Sequence, residues 1–236
     1  MLLATDLDGT FLAGEKKDKK KLYEWLNKDC SIDLVFVTGR GLQHVLPLLK
    51  QNYLPKPDFL ICDVGATITY NDGTIIEELT NEIENKWPGK ELIFSELKNF
   101  HNLKLQGESH SRRCSFFCNE EDISEEITNL IQSIGCDYLF SGGKYFDVLP
   151  KGVNKGSSIK KLINFLGIES KFVLTAGDTL NDLSMFQNDF YGVCVGNSEN
   201  KLIKETFNLK KVLHSNKIGC GGILDGISYF FKKEPF

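Results

Sequence analysis

Short apolar runs alternate with amphipathic segments in the first and last thirds of the chain. A run such as residues 32–37, Ile-Asp-Leu-Val-Phe-Val, is typical of a strand that is buried on both faces. In residues 155–166, Ile159, Leu162 and Ile163 recur at helical spacing and predict an apolar helix face. Strands that alternate with helices predict a parallel sheet with helices on its faces. The predicted strands of these parts are residues 2–7, 32–37, 59–62, 172–176 and 190–195. The predicted helices are residues 16–28, 41–51, 155–166 and 180–187, and residues 219–231 are predicted to be helical in their latter part.

The pattern changes between residues 79 and 150. The apolar runs there do not end in the small and acidic residues that end the outer strands, and a Gly-Gly turn at residues 142–143 predicts antiparallel pairing. An Asn-Asp-Gly turn at residues 71–73, between the runs 67–70 and 74–76, is a further hairpin signal. The predicted elements of the middle part are strands at 113–118, 136–140 and 145–149 and a helix at 123–134.

These patterns predict an α/β fold, in which a Rossmann-like three-layer core is built around a parallel sheet. The chain of 236 residues is long enough for one such domain with a small insert. We predict a core of residues 1–78 and 151–236 and an inserted α+β domain of residues 79–150.

The composition, with 41% hydrophobic and 25% charged residues, is that of an ordinary globular protein. A net charge of −4 argues against a nucleic-acid-binding protein, which usually carries a basic face. The lysine-rich residues 16–21 are interpreted as one solvated helix face. A carboxylate as early as Asp6 argues against a signal peptide, and no apolar run approaches the roughly 18 residues that span a membrane.

Seven cysteines are scattered along the chain without a Cys-x-x-Cys pair. An odd number at irregular spacing indicates reduced cysteines that pack in the interior, rather than a disulfide framework or a zinc site. We therefore expect a cytoplasmic protein. The sequence leaves the oligomeric state open, and a monomer is compatible with it.

Acidic residues follow two of the predicted strands. Asp6 and Asp8 end the first strand, and Asp178 follows the strand at 172–176, with Asn181 and Asp182 one helical turn later. Ligands of parallel α/β sheets bind at the carboxyl ends of the strands. If the two strands are neighbours, the carboxylates converge, and a hard divalent cation such as Mg²⁺ would offset their repulsion.

Two further positions suit a phosphate group. Thr38-Gly39-Arg40 follows the strand at 32–37 and offers a hydroxyl and free backbone amides, and Lys155 begins a helix. Carboxylates, a metal, a hydroxyl and a lysine together describe a site for phosphoryl transfer, in which an aspartate can serve as the nucleophile. A helix cap at Thr38 and a solvated helix start at Lys155 are the alternatives.

These four segments resemble the haloacid dehalogenase superfamily of phosphatases. Residues 6–10, Asp-Leu-Asp-Gly-Thr, match its DxDGT motif, and residues 177–182, Gly-Asp-Thr-Leu-Asn-Asp, match its GDxxND motif. Thr38 and Lys155 match the second and third motifs, in the family's order. The resemblance covers the whole chain, because the family's larger type of cap lies between the second and third motifs.

The resemblance implies a role for each matched residue. It makes Asp6 the nucleophile and Asp8 the general acid and base. It makes Mg²⁺ the cofactor. The implied phosphate-binding residues are Thr38, Gly39, Lys155 and Asn181, and the implied metal ligands are Asp6, the Asp8 carbonyl, Asp178 and Asp182, the last directly or through water.

Residues 62–68 and 141–152 resemble the sucrose-phosphatase branch of the superfamily, and Pro150-Lys151-Gly152 also resembles the Cof-type sugar phosphatases. This narrower resemblance implies a small phosphorylated substrate such as a sugar or disaccharide phosphate. From the predicted turn at residues 142–143 we expect Lys144 and Tyr145 to reach the substrate, with Arg113 as a further candidate. These side chains could instead complete the sheet of the insert.

Two other functions compete with a phosphatase. A sugar phosphomutase of the same superfamily would use the same motifs, although such enzymes usually have a longer fourth motif than residues 177–182. A non-catalytic protein that binds a phosphorylated ligand would share the fold, but it would not need the complete set of Asp6, Asp8, Lys155 and Asp178.

Overall fold

The computed structural model describes residues 1–51, 53–107 and 112–234. The strands are β1 (Leu2–Thr5), β2 (Asp33–Val37), β3 (Phe59–Cys62), β4 (Thr67–Tyr70), β5 (Lys104–Leu105), β6 (Cys114–Phe117), β7 (Cys136–Ser141), β8 (Tyr145–Pro150), β9 (Val173–Gly177), β10 (Tyr191–Cys194) and β11 (Val212–His214). The helices are α1 (Lys16–Lys28), α2 (Leu42–Leu49), α3 (Glu77–Glu84), α4 (Lys90–Leu97), α5 (Glu125–Ser133), α6 (Lys155–Leu166), α7 (Leu183–Phe186), α8 (Asn200–Thr206) and α9 (Cys220–Phe231).

The larger of two sheets has β1 at its centre. Its order is β11-β10-β9-β1-β2-β3-β4, and its strands are parallel except for β4, which pairs antiparallel with β3. Thr5 of β1 is level with Phe36 of β2 and with Ala176 of β9. Because these three neighbouring strands end together, the residues that follow them meet at one edge of the sheet.

Helices cover both faces of this sheet. Leu3 of β1 packs with Leu22 of α1 on one face, and Leu2 packs with Ile83 of α3 and Ile159 of α6 on the other. Successive strand residues point to opposite faces, so that a continuous apolar run fills two cores. The predicted α/β fold with a three-layer core is confirmed.

The smaller sheet is antiparallel, in the order β5-β6-β8-β7. Its apolar face packs on α4 and α5 through a separate cluster that includes Ile93, Ile127 and Phe146. We call this sheet with its two helices the cap. Among the described residues, no helix is both long and apolar enough to cross a membrane.

The packing of α3 bears on the division into two domains. A boundary at residue 79 assigns Leu79 and Ile83 to the insert, but both side chains are buried with those of the larger sheet. A boundary after α3 fits this packing better. The division itself stays a prediction.

Several short elements differ from the sequence prediction. Residues 180–187, predicted as one helix, form a 3₁₀ turn at Leu180–Asp182 and then α7. The Asp182 carboxylate accepts hydrogen bonds from the backbone of Asp178 and Thr179, which tightens this turn. Residues 74–76 contribute one isolated bridge, between Thr69 and Ile75, instead of a strand. The elements without a matching prediction are α3, α4, α8, β5 and β11, none longer than 8 residues.

Candidate active site

Three buried carboxylates meet where β1 and β9 end. Asp6 directly follows β1, Asp178 directly follows β9, and Asp182 lies one turn further along the chain. Carboxylate oxygens of the three residues lie within 4.8 Å of one another. The buried Lys155 ammonium donates hydrogen bonds to Asp6 Oδ1 at 2.7 Å, Asp182 Oδ1 at 2.6 Å and Asn181 Oδ1 at 2.8 Å. The structure therefore brings together five residues that the sequence singled out.

The crowding of these groups opposes their ionisation. Burial raises the pKa of Asp6 well above its ordinary value, and the charges of Asp182 and Asp178 add to the rise, against the attraction of Lys155. Burial, followed by the charge of Asp182, raises the pKa of Asp178 to about 7. Burial acts to lower the pKa of Lys155, but the charges of Asp182 and Asp6 outweigh it and raise that pKa. Burial is thus the largest cause of the raised carboxyl pKa values, and repulsion between the carboxylates adds to it.

We expect the raised pKa of Asp178 to make the metal-free protein more stable at pH 5 than at pH 7.5. The folded protein keeps a proton on Asp178 below a pKa of about 7, whereas the unfolded chain loses that proton above pH ~4. The folded state therefore binds more protons between these values, and its stability falls as the pH rises through 7. In thermal unfolding with a chelator, wild type should lose about 2 kcal/mol more over this range than Asp178→Asn. An identical pH dependence in both proteins would contradict this reading.

The loop after β1 approaches Asp178 so closely that glycine is required at residue 9. Gly9 has φ +84°, and a Cβ there would lie 2.0 Å from Asp178 Oδ2. Thr10 Oγ1 donates a hydrogen bond to Asp178 Oδ1 at 2.8 Å, and Asn197 Nδ2 donates one to the Gly9 carbonyl at 2.8 Å. These contacts fix the DxDGT segment against the GDxxND segment.

The donor set fits a hard divalent cation best at Asp6 and Asp178. Asp182 is already engaged, because its Oδ1 accepts from Lys155 and its Oδ2 accepts from the backbone N–H groups of Asp178 at 2.9 Å and Thr179 at 3.0 Å. This geometry suits an orienting role for Asp182. Carboxylate oxygens are ligands that Mg²⁺ prefers, and a cation beside Asp6 and Asp178 would favour their ionised forms against burial and mutual repulsion, which raise their pKa values.

Thr38 follows β2 and its side chain is buried. Its Oγ1 accepts the backbone N–H of Arg40 at 3.1 Å, and its carbonyl accepts the N–H of Val64 at 3.1 Å. Val64 and Asp63 have φ values of +57° and +54°, which is strained backbone for a β-branched residue such as valine. This strained turn after β3 supports the loop that carries Thr38 and Gly39.

Asp8 lies outside the carboxylate cluster and pairs with Arg40. Arg40 donates from Nε to Asp8 Oδ2 at 2.6 Å and from Nη2 to Oδ1 at 2.5 Å. A two-point contact of this kind fixes the orientation of the carboxylate. The pair stays partly accessible, with the Asp8 side chain 54% exposed.

A cavity of about 560 Å³ lies between this edge of the sheet and the cap. Such a volume is within the range of sites for small molecules. The core lines it with Asp6, Asp8, Gly39, Arg40, His44, Thr179 and Asn181, and the cap lines it with Gln106, Arg113, Ser141, Gly142, Tyr145 and Asp147.

The three cap candidates lie in different places. Tyr145 lines the cavity, whereas Lys144 is not among the described lining residues and holds its ammonium 4.9 Å from the centre of the Tyr145 ring. Arg113 lines the cavity and is buried between two carboxylates, Asp147 of the cap at 3.3 Å and Asp63 of the core at 3.5 Å. The buried Arg113 Nε finds no hydrogen-bond partner within the part of the chain that the structure describes.

Sequence reasoning missed several residues that shape the site. Glu199 and Asn197 lie on the loop after β10 and contact other loops of the site only through tertiary packing. Asp147 lies inside a strand and carries no local signal of function, although a buried aspartate in an otherwise apolar strand is itself unusual. Asp63 lies within residues 62–68, the segment that resembles the sucrose-phosphatase branch, and the sequence assigned it no role of its own.

The family model for sucrose-6F-phosphate phosphohydrolase matches residues 1–231. A glucosylglycerol-phosphate synthase of Pseudomonas anguilliseptica is 48% identical over 232 residues, which cover 98% of this chain and 31% of that protein. A probable sucrose-phosphatase of Arabidopsis thaliana is 31% identical over 252 residues, which cover 98% of this chain and 59% of that protein. The chain thus spans less than two thirds of the length of these relatives.

The solved structure of a sucrose-phosphatase from a Synechocystis species, in complex with sucrose and phosphate, is similar over 98% of both chains. Its TM-score is 0.87 at 25% sequence identity. Solved haloacid dehalogenase-like hydrolases share the fold at lower identity. The resemblance that the motifs indicated is therefore confirmed, and the chain belongs to the sucrose-6F-phosphate phosphohydrolase family.

Proposed function

We propose that the chain is a Mg²⁺-dependent phosphatase that hydrolyses a phosphorylated glycoside through a phospho-aspartate at Asp6. The observation that carries the proposal is that Asp6 lines the cavity. Lys155 contacts Asp6 at 2.7 Å, and Asp8 also lines that cavity. A nucleophile, a second carboxylate for proton transfer and a cation for the phosphate are what this chemistry requires.

The reaction proceeds in two steps on these residues. An Asp6 oxygen attacks phosphorus, the bond from phosphorus to the leaving oxygen breaks, and Asp8 gives its proton to that oxygen. Water then attacks the phospho-aspartate, Asp8 takes the proton of the water, and the bond between phosphorus and the Asp6 oxygen breaks to release inorganic phosphate. The observed pairing with Arg40 engages both oxygens of ionised Asp8, the form that takes the proton of water in the second step, and orients it at the cavity.

The remaining groups bind and neutralise the phosphate. The proposed phosphate ligands are Lys155, the Thr38 hydroxyl, the Gly39 amide and the Asn181 amide. Asp6, Asp178 and the Asp8 carbonyl would hold Mg²⁺, with Asp182 directly attached or, as its hydrogen bonds favour, orienting Asp178. The metal supplies positive charge that offsets the charge developing on the transferred group.

The cap side of the cavity supports a glycoside as the leaving group. Tyr145 offers an aromatic face, and Arg113 and Asp147 offer a donor and an acceptor for hydroxyl groups. The names of the relatives above share a glycosyl unit joined to a phosphorylated alcohol. The relative at 48% identity is named for the synthesis of glucosylglycerol phosphate, and this chain matches 31% of it. We favour that compound as the substrate, ahead of sucrose 6F-phosphate. The seven free cysteines fit the cytoplasmic location that we propose.

A substrate panel with Mg²⁺ tests this function. We expect phosphate release from glucosylglycerol phosphate with a kcat/KM on the order of 100-fold above that for glycerol 3-phosphate, because binding of the glycosyl part contributes to catalysis. Tyr145→Ala should lower kcat/KM for the glycoside by about tenfold and change hydrolysis of p-nitrophenyl phosphate little. Lys144→Ala is the matched comparison, with a smaller effect, since its ammonium reaches the site only through the Tyr145 ring.

Other outcomes of the panel favour the alternatives. If Tyr145→Ala lowered kcat/KM equally for the glycoside and for p-nitrophenyl phosphate, Tyr145 would not determine substrate specificity. A positional isomer of the sugar phosphate in place of free phosphate would indicate a phosphomutase. Tight binding of phosphorylated ligands without any turnover would indicate a non-catalytic protein.

A further inference from the structure

Glu199 connects the cap to the core behind the cavity. Its carboxylate accepts the backbone N–H of Gly142 through Oε1 at 3.1 Å and the backbone N–H of Leu180 through Oε2 at 3.0 Å. Its own N–H donates to the Asp178 carbonyl at 2.8 Å. Gly142 belongs to the β7–β8 turn of the cap, whereas Leu180 and Asp178 belong to the GDxxND loop. We call these three hydrogen bonds the Glu199 bridge.

The bridge joins two opposite walls of the cavity without lining it. Ser141, Gly142 and Tyr145 form part of the cap wall, and Thr179 and Asn181 form part of the core wall. Glu199 is not among the described lining residues. The Glu199 carboxylate accepts a hydrogen bond from a backbone amide on each side. The length of this side chain therefore limits the distance between the two walls. A charged acceptor makes a hydrogen bond stronger than a neutral one, although the Gly142 bond is exposed to solvent, which weakens it, whereas the Leu180 bond is partly buried.

The core loop has internal hydrogen bonds that do not need Glu199. Asp182 Oδ2 accepts from the backbone of Asp178 and Thr179, Thr179 Oγ1 donates to Asn181 Oδ1 at 2.9 Å, and the Asp182 N–H donates to the Thr179 carbonyl at 2.9 Å. The turn of the cap is held by a bond from the Lys144 N–H to the Ser141 carbonyl at 3.3 Å, by the pairing of Ser141 with Tyr145, and by a bond from the Cys118 N–H to the Lys144 carbonyl at 3.1 Å. The Gly142 N–H at its tip donates to Glu199. Loss of Glu199 should therefore free the cap wall more than the core loop.

We propose that Glu199 is a positioning residue that holds the cap wall at a fixed distance from the GDxxND loop. This distance sets the affinity for substrates with long leaving groups. The kinetic part of this proposal rests on the proposed phosphatase function. A glycoside phosphate touches both walls, so it depends on their separation. A small aryl phosphate depends on the core alone.

The test combines amide exchange with kinetics in the full chain. In Glu199→Ala, we expect hydrogen exchange at the Gly142 amide to accelerate by on the order of tenfold, which corresponds to the loss of one hydrogen bond to a charged group. KM for glucosylglycerol phosphate should rise about tenfold, while kcat for p-nitrophenyl phosphate stays within about threefold. Glu199→Gln keeps one acceptor oxygen for two N–H donors. Its Gly142 exchange rate and its KM for glucosylglycerol phosphate should lie between those of wild type and Glu199→Ala.

Lys201→Ala provides the matched control. Lys201 also joins core to cap, through a contact with Glu120 at 2.6 Å, but both side chains are more than half exposed. Such surface pairs contribute little to stability. In Lys201→Ala, the Gly142 exchange rate, KM for glucosylglycerol phosphate and kcat for p-nitrophenyl phosphate should therefore each change by no more than about twofold.

Two results would overturn the proposal. One is unchanged exchange at Gly142 in Glu199→Ala, which would mean that the bridge does not form in solution. The other is an equal loss on the glycoside and on p-nitrophenyl phosphate, which would place the effect in the core loop. If wild type hydrolyses neither substrate, the phosphatase function fails, and the exchange rates still decide whether the Glu199 bridge exists.

Discussion

Asp6→Asn should lose catalytic turnover by on the order of a thousandfold or more, on every substrate that the wild type hydrolyses. Asparagine has the size of aspartate but lacks the negative charge and the nucleophilic oxygen. It also leaves Lys155 facing Asp182 without the Asp6 charge at 2.7 Å. The measurement is steady-state phosphate release with Mg²⁺, on protein whose folding has been checked by thermal unfolding.

Asp189→Asn is a suitable control for this variant. Asp189 makes the same kind of ion pair, with Lys211, but its side chain is 79% exposed. Its loss should leave turnover unchanged. Turnover of Asp6→Asn within a few fold of wild type would exclude the phospho-aspartate route and would move the nucleophile to water or to another residue.

Removal of the metal should abolish activity as completely as the loss of Asp6. Oxygens of Asp6, Asp178 and Asp182 lie within 4.8 Å of one another, and burial, to which the neighbouring carboxylates add, raises the pKa values of Asp6 and Asp178. A bound cation would favour the ionised forms of both groups. Excess chelator should reduce phosphate release to background, and Mg²⁺ should restore it. Ca²⁺ should restore little, because it prefers more ligands and longer bonds than Mg²⁺.

Metal binding has a second readout that does not depend on activity. A cation that binds only the folded state raises the melting temperature, and the rise grows with the logarithm of its concentration above the Kd. We expect Mg²⁺ to raise that temperature in wild type at pH 7.5 and not in Asp178→Asn. Full activity in excess chelator, together with an unchanged melting temperature, would remove the metal from the mechanism.

The sequence predicted the larger elements and the position of the motif segments at strand ends because their signals are local. The run that ends in Asp6 and the run that ends in Asp178 are apolar and short, as buried parallel strands are, and the spacing of Ile159 and Leu162 is that of a helix face. An acidic residue directly after such a run is placed at the edge of the sheet by chain connectivity alone. Short elements such as α8 and β11 were not predicted, because a segment of a few residues shows too little periodicity to be identified.

The sequence by itself therefore determined the α/β class, the strand ends and which residues stand at them. Tertiary structure decided which of these residues touch, because contacts between distant segments depend on how the sheets and loops pack. Thr10 reaches Asp178 across 168 residues, and Gly142 reaches Glu199 across 57. The sequence predicted that both Lys144 and Tyr145 reach the substrate. In the folded chain Tyr145 lines the cavity, whereas the Lys144 ammonium lies over the Tyr145 ring. The period of a strand tells which face a side chain takes, but only the folded arrangement supplies the partner it meets there.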